Sequence, residues 1–221
     1  MSSLRLDWCS HEAAKHACKR WHYSGDAPNQ KLLKIGVWES GEFVGAILFG
    51  SSANNNLGKP YGLTGTEACE LVRVALKAHE TPVSRMGAIA LRMLKKSNPG
   101  IRLVVSYADP EHDHVGGIYQ AMNWVYAGMT TPADEYIVNG VRMHGRALRS
   151  TRSTHKRKNV PAQNIMEWAA AVLDPNVRRV AGSSKHRYLY PLDDDMRERI
   201  NPLAKPYPKR ASEAGHSPSP G

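Results

Sequence analysis

Hydroxyl, phenol and carboxylate groups follow directly after a short apolar run at residues 101–105. Ser106, Tyr107 and Asp109 come next, and Pro110 follows them. The run has the composition of a buried strand, and open sheets commonly form their sites at the carboxyl ends of such strands. Because Pro110 removes a backbone donor and restricts the residue before it, we expect the strand to end with the Asp109 carboxylate at its mouth. An Asp-Pro pair also begins ordinary turns, so the alternative is a structural turn in which Asp109 has no catalytic role.

A second cluster of residues that could perform chemistry is the run Glu111-His112-Asp113-His114. Its side chains are of the types that bind iron or zinc, and His22 could add a ligand. Adjacent loop residues rarely all face one ion, and the spacing matches no recognised ligand pattern. A solvated loop is therefore favoured, and the metal stays unknown, with iron or zinc as the ions to test.

The charge of the chain is strongly basic and unevenly distributed. The chain has 30 Lys and Arg residues and 20 Asp and Glu residues, which gives a net charge of +10. No acidic residue lies between Ile137 and Met166. A basic stripe of this kind favours contact with the phosphate backbone of double-stranded DNA, and a solvated loop is the alternative. The residues we expect at the phosphates are Arg149, Arg152, Lys156, Arg157 and Lys158.

A second basic group combines cations with aromatic rings that could stack on bases. It consists of Lys185, His186, Arg187 and Tyr188. We expect these residues to bind DNA as well. A strand with an exposed charged face is the alternative.

Length and composition predict one domain with appendages. The chain has 221 residues, 41% of them hydrophobic, and a mean hydropathy of −0.49. No apolar stretch approaches the ~20 residues of a membrane span, and the amino terminus has no signal-peptide pattern. We therefore expect a cytoplasmic protein without a membrane partner. Cys9, Cys18 and Cys69 match no zinc spacing and are expected to be free thiols.

Hydrophobic periodicity and turn residues predict alternating helices and strands. Ser10 is the expected N-cap of the first helix, and Thr81 is the expected N-cap of the second, with Pro82 as its first residue. A long polar loop is predicted at 51–65, and the region after Arg199 is expected to be disordered. The predicted helices are 10–20, 81–96, 117–122 and 161–173, and the predicted strands are 32–38, 42–49, 68–76, 101–105, 124–127, 136–139 and 141–148.

This order of elements is the order of the acyl-CoA-dependent N-acetyltransferase (GNAT) fold. We therefore expect an α+β protein with a mixed, mostly antiparallel central sheet flanked by helices. In that fold, a loop entering a helix N-terminus binds the coenzyme pyrophosphate, because free N–H groups and the helix dipole favour anions. The glycine-rich signature of that loop is absent at 79–87, and an ordinary capped helix explains the same residues. The expected contacts to acetyl-CoA or a related donor are Val74, Ser84, Arg85 and Met86.

Several short motifs together resemble the Mom family of phage DNA-modification proteins. The motifs are His22-Tyr23-Ser24, Glu70-Leu71-Val72-Arg73-Val74-Ala75-Leu76, Pro82-Val83-Ser84-Arg85, Val105-Ser106-Tyr107-Ala108-Asp109-Pro110, Gly116-Gly117-Ile118-Tyr119-Gln120-Ala121 and Lys185-His186-Arg187-Tyr188. The resemblance extends from about Asp7 to Pro191. It implies a GNAT-like fold and conversion of adenine in DNA to N6-carbamoylmethyl-adenine, which protects phage DNA from host restriction enzymes.

The chemistry of that reaction suggests roles for the conspicuous residues. The exocyclic amine of adenine is a poor nucleophile, so a catalyst must hold an acceptor against it, and Asp109 is the candidate. The base must also leave the duplex, and Tyr23, Tyr107 or Tyr119 could stack on it. His22 is a second candidate for proton transfer, with a packed helix-end histidine as the alternative.

Arg73 and Ser106 complete the set of expected catalytic residues. Arg73 lies within an apolar strand, where an unpaired charge is costly, so it faces either solvent or the site. The resemblance favours the site. Ser106 could donate a hydrogen bond to a developing oxyanion or to a coenzyme carbonyl.

We expect three segments: a catalytic core at 1–150, a basic extension that contacts DNA at 151–199, and a disordered tail at 200–221. A homodimer is among the expected assemblies. Two other functions stay open. One is an N-acetyltransferase that acts on a small amine, a peptide or RNA, and the other is a nucleic-acid-binding protein without catalysis.

Overall fold

The computed structural model describes residues 3–51 and 56–209. The strands are β1 (Leu4–Trp8), β2 (Leu32–Glu39), β3 (Glu42–Gly50), β4 (Ala68–Leu76), β5 (Leu103–Ala108), β6 (Val125–Met129), β7 (Asp134–Val138), β8 (Val141–His144), β9 (Arg178–Ala181) and β10 (His186–Pro191). The helices are α1 (His11–Trp21), α2 (Val83–Ser97), α3 (Gly117–Gln120), α4 (Gly145–Thr154), α5 (Ile165–Val172) and α6 (Asp194–Ile200). No helix in these ranges is long and apolar enough to cross a membrane.

Local chemistry explains the elements that were predicted correctly. The Ser10 hydroxyl accepts a hydrogen bond from the Ala13 N–H at 3.1 Å, as a helix N-cap does. The turn between β2 and β3 places Ser40 at φ 50° and Gly41 at φ 84°. Two successive residues with positive φ form the turn that matches the twist of a hairpin, so β2 and β3 pair directly.

The chain divides into two compact units. Within the described residues, unit 1 comprises 3–51, 56–108, 114–128 and 186–209, and unit 2 comprises 109–113 and 129–185. This division differs from the predicted core and extension, because the boundary expected at residue 150 falls inside α4.

Unit 1 is built on a seven-stranded sheet in the order β1-β2-β3-β4-β5-β10-β6. The pairs β1/β2, β2/β3, β3/β4 and β5/β10 are antiparallel, and β4/β5 is parallel. The predicted α+β class with a mixed, mostly antiparallel sheet is therefore confirmed. Helix α2 contributes Met86 and Leu94 to the core on one face, α1 contributes Ala14 and Cys18 to a second cluster, and α6 contributes to a third.

Unit 2 contains the three-stranded sheet β8-β7-β9 with α4 and α5. Its core consists of Tyr136, Val138, Leu148, Trp168 and Ala169, all of them buried. Helix α4 contributes Leu148 to this core, whereas Arg146 and Arg149 of the same helix are exposed.

Several predicted boundaries differ from the structure, such as the helix predicted at 161–173, which spans Ile165–Val172, and two of the differences have a clear local cause. Thr81 is not an N-cap, because its N–H and hydroxyl both donate to Glu39, and α2 begins after Pro82. The strand predicted at 141–148 ends at His144, whose side chain caps α4 by accepting from the Arg146 N–H at 3.0 Å.

The ends of the chain also differ from expectation. Strand β1 was not predicted; it is stabilised by pairing with β2. Residues 200–209 were assigned to a disordered tail, but Lys205 N–H donates to Tyr126 O at 2.9 Å and Tyr207 OH donates to Trp124 O at 2.8 Å. The rest of that predicted tail, 210–221, and part of the predicted loop at 51–65 lie outside the described residues.

Candidate functional site

Strands β4 and β5 pair over a short distance and then separate. The parallel register covers three residue pairs, from Ala68 opposite Leu103 to Glu70 opposite Val105. Beyond this point, β4 continues to Leu76 and β5 continues to Ala108 without further pairing between them. The separation exposes one backbone edge of β4 to side chains and to ligands. We call it the β4/β5 opening.

Ser106 bridges the β4/β5 opening. Its Oγ lies 2.8 Å from Leu71 O on β4 and 2.7 Å from Tyr119 OH. Because a carbonyl can only accept, the arrangement that satisfies both contacts has Ser106 donating to Leu71 and accepting from Tyr119. Both side chains are buried, and burial raises the pKa of Tyr119 to about 12. These two predicted catalytic residues therefore form one hydrogen-bonded pair.

Tyr23 and His22 lie beyond the end of α1, in the same unit as this pair. The Tyr23 ring is 54% exposed and lies 4.3 Å from the His22 ring and 5.3 Å from the His114 ring, between centroids. The negative charge of Glu70 adds to the raised pKa of Tyr119, after the larger effect of burial. Sequence reasoning considered His114 only as a metal ligand and gave Glu70 no role of its own. The contact between His114 and Tyr23 is set by the fold.

Arg73 lies on β4, on the side of the sheet that faces α1. It lies opposite Leu48 of the neighbouring strand β3. Burial raises the pKa of Cys18, and the positive charge of Arg73 acts to lower that pKa. The guanidinium donates from Nη1 to Val72 O at 2.7 Å. Its Nε is buried, and no described residue accepts from it. Arg73 is therefore half-buried with one unsatisfied donor, and its role in the site stays a prediction.

Tyr107 does not join Ser106, because successive strand residues face opposite sides of a sheet. Its ring packs with the cluster that contains Leu103, Val105 and Leu189. Arg187 lies directly opposite Tyr107 on β10, with Nε buried and no described acceptor.

Tyr188 and His186 were predicted to contact DNA, and the structure contradicts this role for Tyr188. Its side chain is fully buried, and its hydroxyl donates to Val115 O. It cannot stack on a base, because strand alternation turns it into the core. His186 is half-buried, and its Nδ1 lies 3.0 Å from Tyr126 OH.

The segment that leads into α2 has only some of its backbone N–H groups available to bind an anion. Glu39 accepts from the N–H groups of Glu80 and Thr81, which fixes this segment. Arg85 and Met86 N–H both donate to Pro82 O. Within the described chain, no acceptor takes the N–H groups of Val83 and Ser84.

The side chains of the expected coenzyme contacts differ in what they could reach. Ser84 is half-buried and Arg85 is exposed, so a hydroxyl and a cation are available to a phosphate. Met86 is fully buried in the core, and this contradicts its expected contact with a coenzyme. Val74 packs against the core from β4, the strand that borders the β4/β5 opening.

Asp109 belongs to unit 2, where it forms an ion pair with Lys185. Asp109 Oδ2 lies 2.9 Å from Lys185 Nζ, and Oδ1 accepts from Glu111 N–H at 3.1 Å. Burial acts to raise the pKa of Asp109, but the bonds from Lys185 and Glu111 lower it below its usual value. The carboxylate is therefore ionised. Lys185 was expected to bind DNA, and in the structure its ammonium group neutralises the Asp109 carboxylate.

The basic stripe lies on α4 and the segment after it. Arg149, Lys156 and Lys158 are exposed and form no ion pair with any described residue. Arg152 and Arg157 have structural contacts. Arg152 lies 5.9 Å from the centre of the Trp168 ring, and Arg157 Nη2 donates to Ala171 O at 3.4 Å. We call Arg146, Arg149, Lys156 and Lys158 the basic face.

The acidic and histidine run at 111–114 does not form a metal centre. No group of three or more His, Cys, Asp or Glu side chains within the described ranges is arranged to hold a metal ion. The residues present therefore do not fit the iron or zinc considered from the sequence. Cys9, Cys18 and Cys69 are free thiols, and burial raises the pKa of Cys69 to about 12.

Fold and site together define a mixed α+β protein with a polar opening between two separating strands and a separate basic face. Comparison with known proteins then gives the family: residues 3–209 match the Mom protein family, and the chain belongs to it. The chain is 26% identical over 215 residues to "Methylcarbamoylase mom" of Escherichia phage Mu, covering 93% of this chain and 84% of that protein. A crystal structure of the aminoglycoside acetyltransferase AAC(6')-Ib in complex with coenzyme A matches 68% of this chain and 99% of that one, at 11% identity and a TM-score of 0.44.

Proposed function

We propose that this protein is a DNA-modifying transferase that converts adenine in double-stranded DNA to N6-carbamoylmethyl-adenine and so protects the DNA from restriction. The observation that carries the proposal is the match to the Mom family over residues 3–209. The phage Mu relative, named a methylcarbamoylase, supports the same chemistry. The protein would act in the cytoplasm of a phage host.

The exposure of the tyrosines supports one of them as the surface on which an extruded base stacks. Tyr119 and Tyr188 are 8% and 0% exposed, so neither can cover a base with its face. Tyr23 is 54% exposed, and its ring is supported by two imidazoles. Stacking on such a ring is worth about 1–3 kcal/mol per base. In this proposal Tyr23 holds the adenine.

Proton transfer needs a group that accepts hydrogen from the adenine amine while the new bond forms. We assign this role to Asp109, which is ionised and paired with Lys185. Ser106 and Tyr119 are assigned to the donor molecule, because their hydroxyl pair lies at the β4/β5 opening. Arg73, with an unsatisfied buried Nε, would donate to an anionic or carbonyl group there.

A CoA-type donor is part of the proposal. The free N–H groups of Val83 and Ser84, with the Arg85 cation, would bind its phosphates at the N-terminus of α2. A thioester would supply an activated two-carbon unit. Acyl transfer alone gives N6-acetyl-adenine. The carbamoylmethyl product needs a bond from N6 to the methyl carbon, which breaks a C–H bond and requires a two-electron oxidant, and it needs an ammonia-level nitrogen donor that displaces the CoA thiol. The proposal therefore includes both an oxidant and a nitrogen donor beside the thioester.

The phosphate backbone of the DNA would bind the basic face. Its side chains are exposed and not neutralised by described carboxylates, whereas Arg142, Arg179 and Lys185 of the same unit are paired. Neutralised phosphates release counterions, so affinity should fall steeply with salt.

Mass spectrometry of nucleosides tests the proposal. Plasmid DNA from cells that express the full chain is digested and compared with DNA from cells that express Tyr23→Ala. We expect an adenine adduct with the carbamoylmethyl composition in the first sample and much less in the second. An acetyl adduct would indicate simple acyl transfer instead. Unmodified adenine, with DNA binding retained, would indicate a binding protein without this activity.

A further inference from the structure

Helix α4 packs on one side only. Leu148 is fully buried in the core of unit 2, and Gly145 of the same helix is buried as well. On the opposite side, exposed residues recur at positions i, i+3, i+4 and i+7, the spacing of one helix face. They are Arg146, Arg149, Ser150 and Ser153. The helix therefore presents a continuous exposed surface, which we call the outer face of α4.

Apart from its two arginines, the outer face of α4 carries only small side chains. The exposed Ala147 and Thr154 lie beside the two serines. The hydroxyls of Ser153 and Thr154 donate to Ser150 O at 2.7 and 3.2 Å, so they lie against the helix backbone. The major groove of B-DNA is about 12 Å wide, and a helix with its side chains is about 10–12 Å across. Small side chains therefore allow α4 to approach the floor of such a groove.

The charge of the outer face is not neutralised by the protein itself. Within the described part of unit 2, no carboxylate forms an ion pair with Arg146 or Arg149. Glu135 is paired with Arg142, and Asp174 accepts from backbone N–H groups at 2.7 and 2.8 Å. A polyanion that approaches α4 therefore meets two cations that have no partner among the described residues.

The two lysines of the basic face follow the C-terminal end of α4 in an ordered turn. Lys158 N–H donates to His155 O at 3.0 Å, and the Trp168 indole N–H donates to Arg157 O at 3.0 Å. An arginine has a planar fork of donors that matches a pair of acceptors, whereas a lysine is a point charge. The arginines on the helix are thus suited to base edges, and Lys156 and Lys158 are suited to phosphates.

We infer that α4 is a recognition helix for the major groove of double-stranded DNA. Arg146 and Arg149 bind the O6 and N7 acceptors of guanine, and the lysines of the basic face bind phosphates. Recognition helices contact base edges with residues near their N-terminal end, and both arginines lie in the first half of α4. The inference rests on the proposed function, because it takes the same DNA as its ligand, and goes beyond it by assigning a preference for guanine-containing sequences.

The alternative is that all four cations of the basic face contact phosphates only. Phosphate contacts carry no sequence information, and they depend on charge. Substitution of arginine by lysine keeps the charge and removes the fork. Under the alternative, Arg146→Lys and Arg149→Lys should therefore leave both the sequence preference and the salt dependence unchanged.

Selection from a random duplex library with the full chain tests the inference. We expect enrichment of a guanine-containing sequence. Each selected guanine is then replaced in turn by 7-deazaguanine, which lacks the N7 acceptor but leaves the phosphates unchanged. We expect the unsubstituted chain to lose about 5-fold or more in affinity at one or more positions, measured by fluorescence anisotropy.

The lysine variants assign that loss to α4. In Arg146→Lys and Arg149→Lys, we expect the effect of 7-deazaguanine to disappear at one guanine each while the slope of log K against log salt is kept. Arg92→Lys, at an exposed position of α2, is the matched control and should keep the full effect. Absence of enrichment, an enriched sequence without guanine, or an undiminished effect of 7-deazaguanine in both α4 variants would overturn the inference.

Failure of the proposed function would appear separately, in mass spectrometry of the DNA. Unmodified adenine, from a chain that still selects a guanine-containing duplex through α4, would refute the activity and support the recognition helix. Modified adenine from a chain without any sequence preference would refute the recognition helix alone.

Discussion

Ser106 and Tyr119 share a buried hydrogen bond of 2.7 Å at the β4/β5 opening. We expect Tyr119→Phe to reduce adenine modification by about 10²-fold, because the hydroxyl pair can then no longer orient a donor molecule. Tyr188→Phe is the matched control, since Tyr188 is also buried and its hydroxyl donates to Val115 O. Modified adenine is quantified alongside the unfolding free energy of each variant. Equal losses of modification in both variants would assign Tyr119 to stability alone.

Lys156 and Lys158 of the basic face are expected to contact DNA phosphates. The double substitution to Ala should weaken DNA binding and lower the slope of log K against log salt by about 0.9 for each lost contact. Arg92→Ala with Lys96→Ala, an equal charge change on α2, should leave the slope unchanged. Fluorescence anisotropy at several salt concentrations measures both. An unchanged slope in the Lys156 and Lys158 variant would remove this segment from the DNA interface.

Asp109 and Lys185 form an ion pair. Substituting each partner in turn distinguishes a catalytic role of the Asp109 carboxylate from a structural one. If Asp109 is the proton acceptor, Asp109→Asn should lower adenine modification by about 10²-fold or more, because the amide cannot accept the proton. Lys185→Gln should lower it much less, since the carboxylate remains. If the pair only stabilises unit 2, the two substitutions should act alike on modification and on unfolding. Full modification by Asp109→Ala would exclude the catalytic assignment.

His144 should make α4 sensitive to pH. Burial lowers the pKa of His144, and the nearby Arg146 charge lowers it further. The unfolded chain therefore binds the proton more readily, and stability present above the ordinary imidazole pKa of about 6.5 is lost as pH falls below it. We expect the protection factor of the Arg146 amide, which is the exchange rate of an unfolded chain divided by that of this amide at the same pH, to fall as the pH is lowered from about 7.5 to about 5.5. His144→Asn keeps a capping side chain without a titrating ring and should show no such change.

Arg102 and Asp193 join the start of β5 to the N-terminus of α6, with bonds of 2.8 and 2.9 Å. These bonds lower the pKa of Asp193 from 3.8 to about 2, so its stabilisation is complete above about pH 4 and is lost as pH falls toward about 2. Asp193→Asn should cost about 1–2 kcal/mol at neutral pH, allowing for partial exposure. The exposed Asp194→Asn serves as control in urea unfolding. Equal stability of the two variants would show that the pair contributes nothing measurable.

Sequence was sufficient where neighbouring residues decide the structure. The Ser10 cap and the turn at Ser40 and Gly41 depend on interactions within a few positions, and both were predicted. Strand β1 was missed because its alternating polar residues become a strand only by pairing with β2. The strand predicted through Leu148 gave way to a helix, because a side chain at His144 caps the next segment.

The sequence identified candidate site residues by their chemical type but could not predict how they are arranged. The type of Ser106, Tyr119 and Asp109 marked them as reactive from the sequence. Their partners depend on contacts between distant segments, which no local pattern encodes. Tyr188 illustrates the limit, since either face of β10 could have been the buried one before the sheet was known.

The central claim is that this chain attaches a carbamoylmethyl group to adenine in DNA. Mass spectrometry of nucleosides from DNA of expressing cells tests it most directly, with fragmentation to locate the added group on N6. The account predicts N6-carbamoylmethyl-adenine, reduced strongly in Tyr23→Ala. Unmodified adenine throughout, from a folded protein that binds the same DNA, would contradict it.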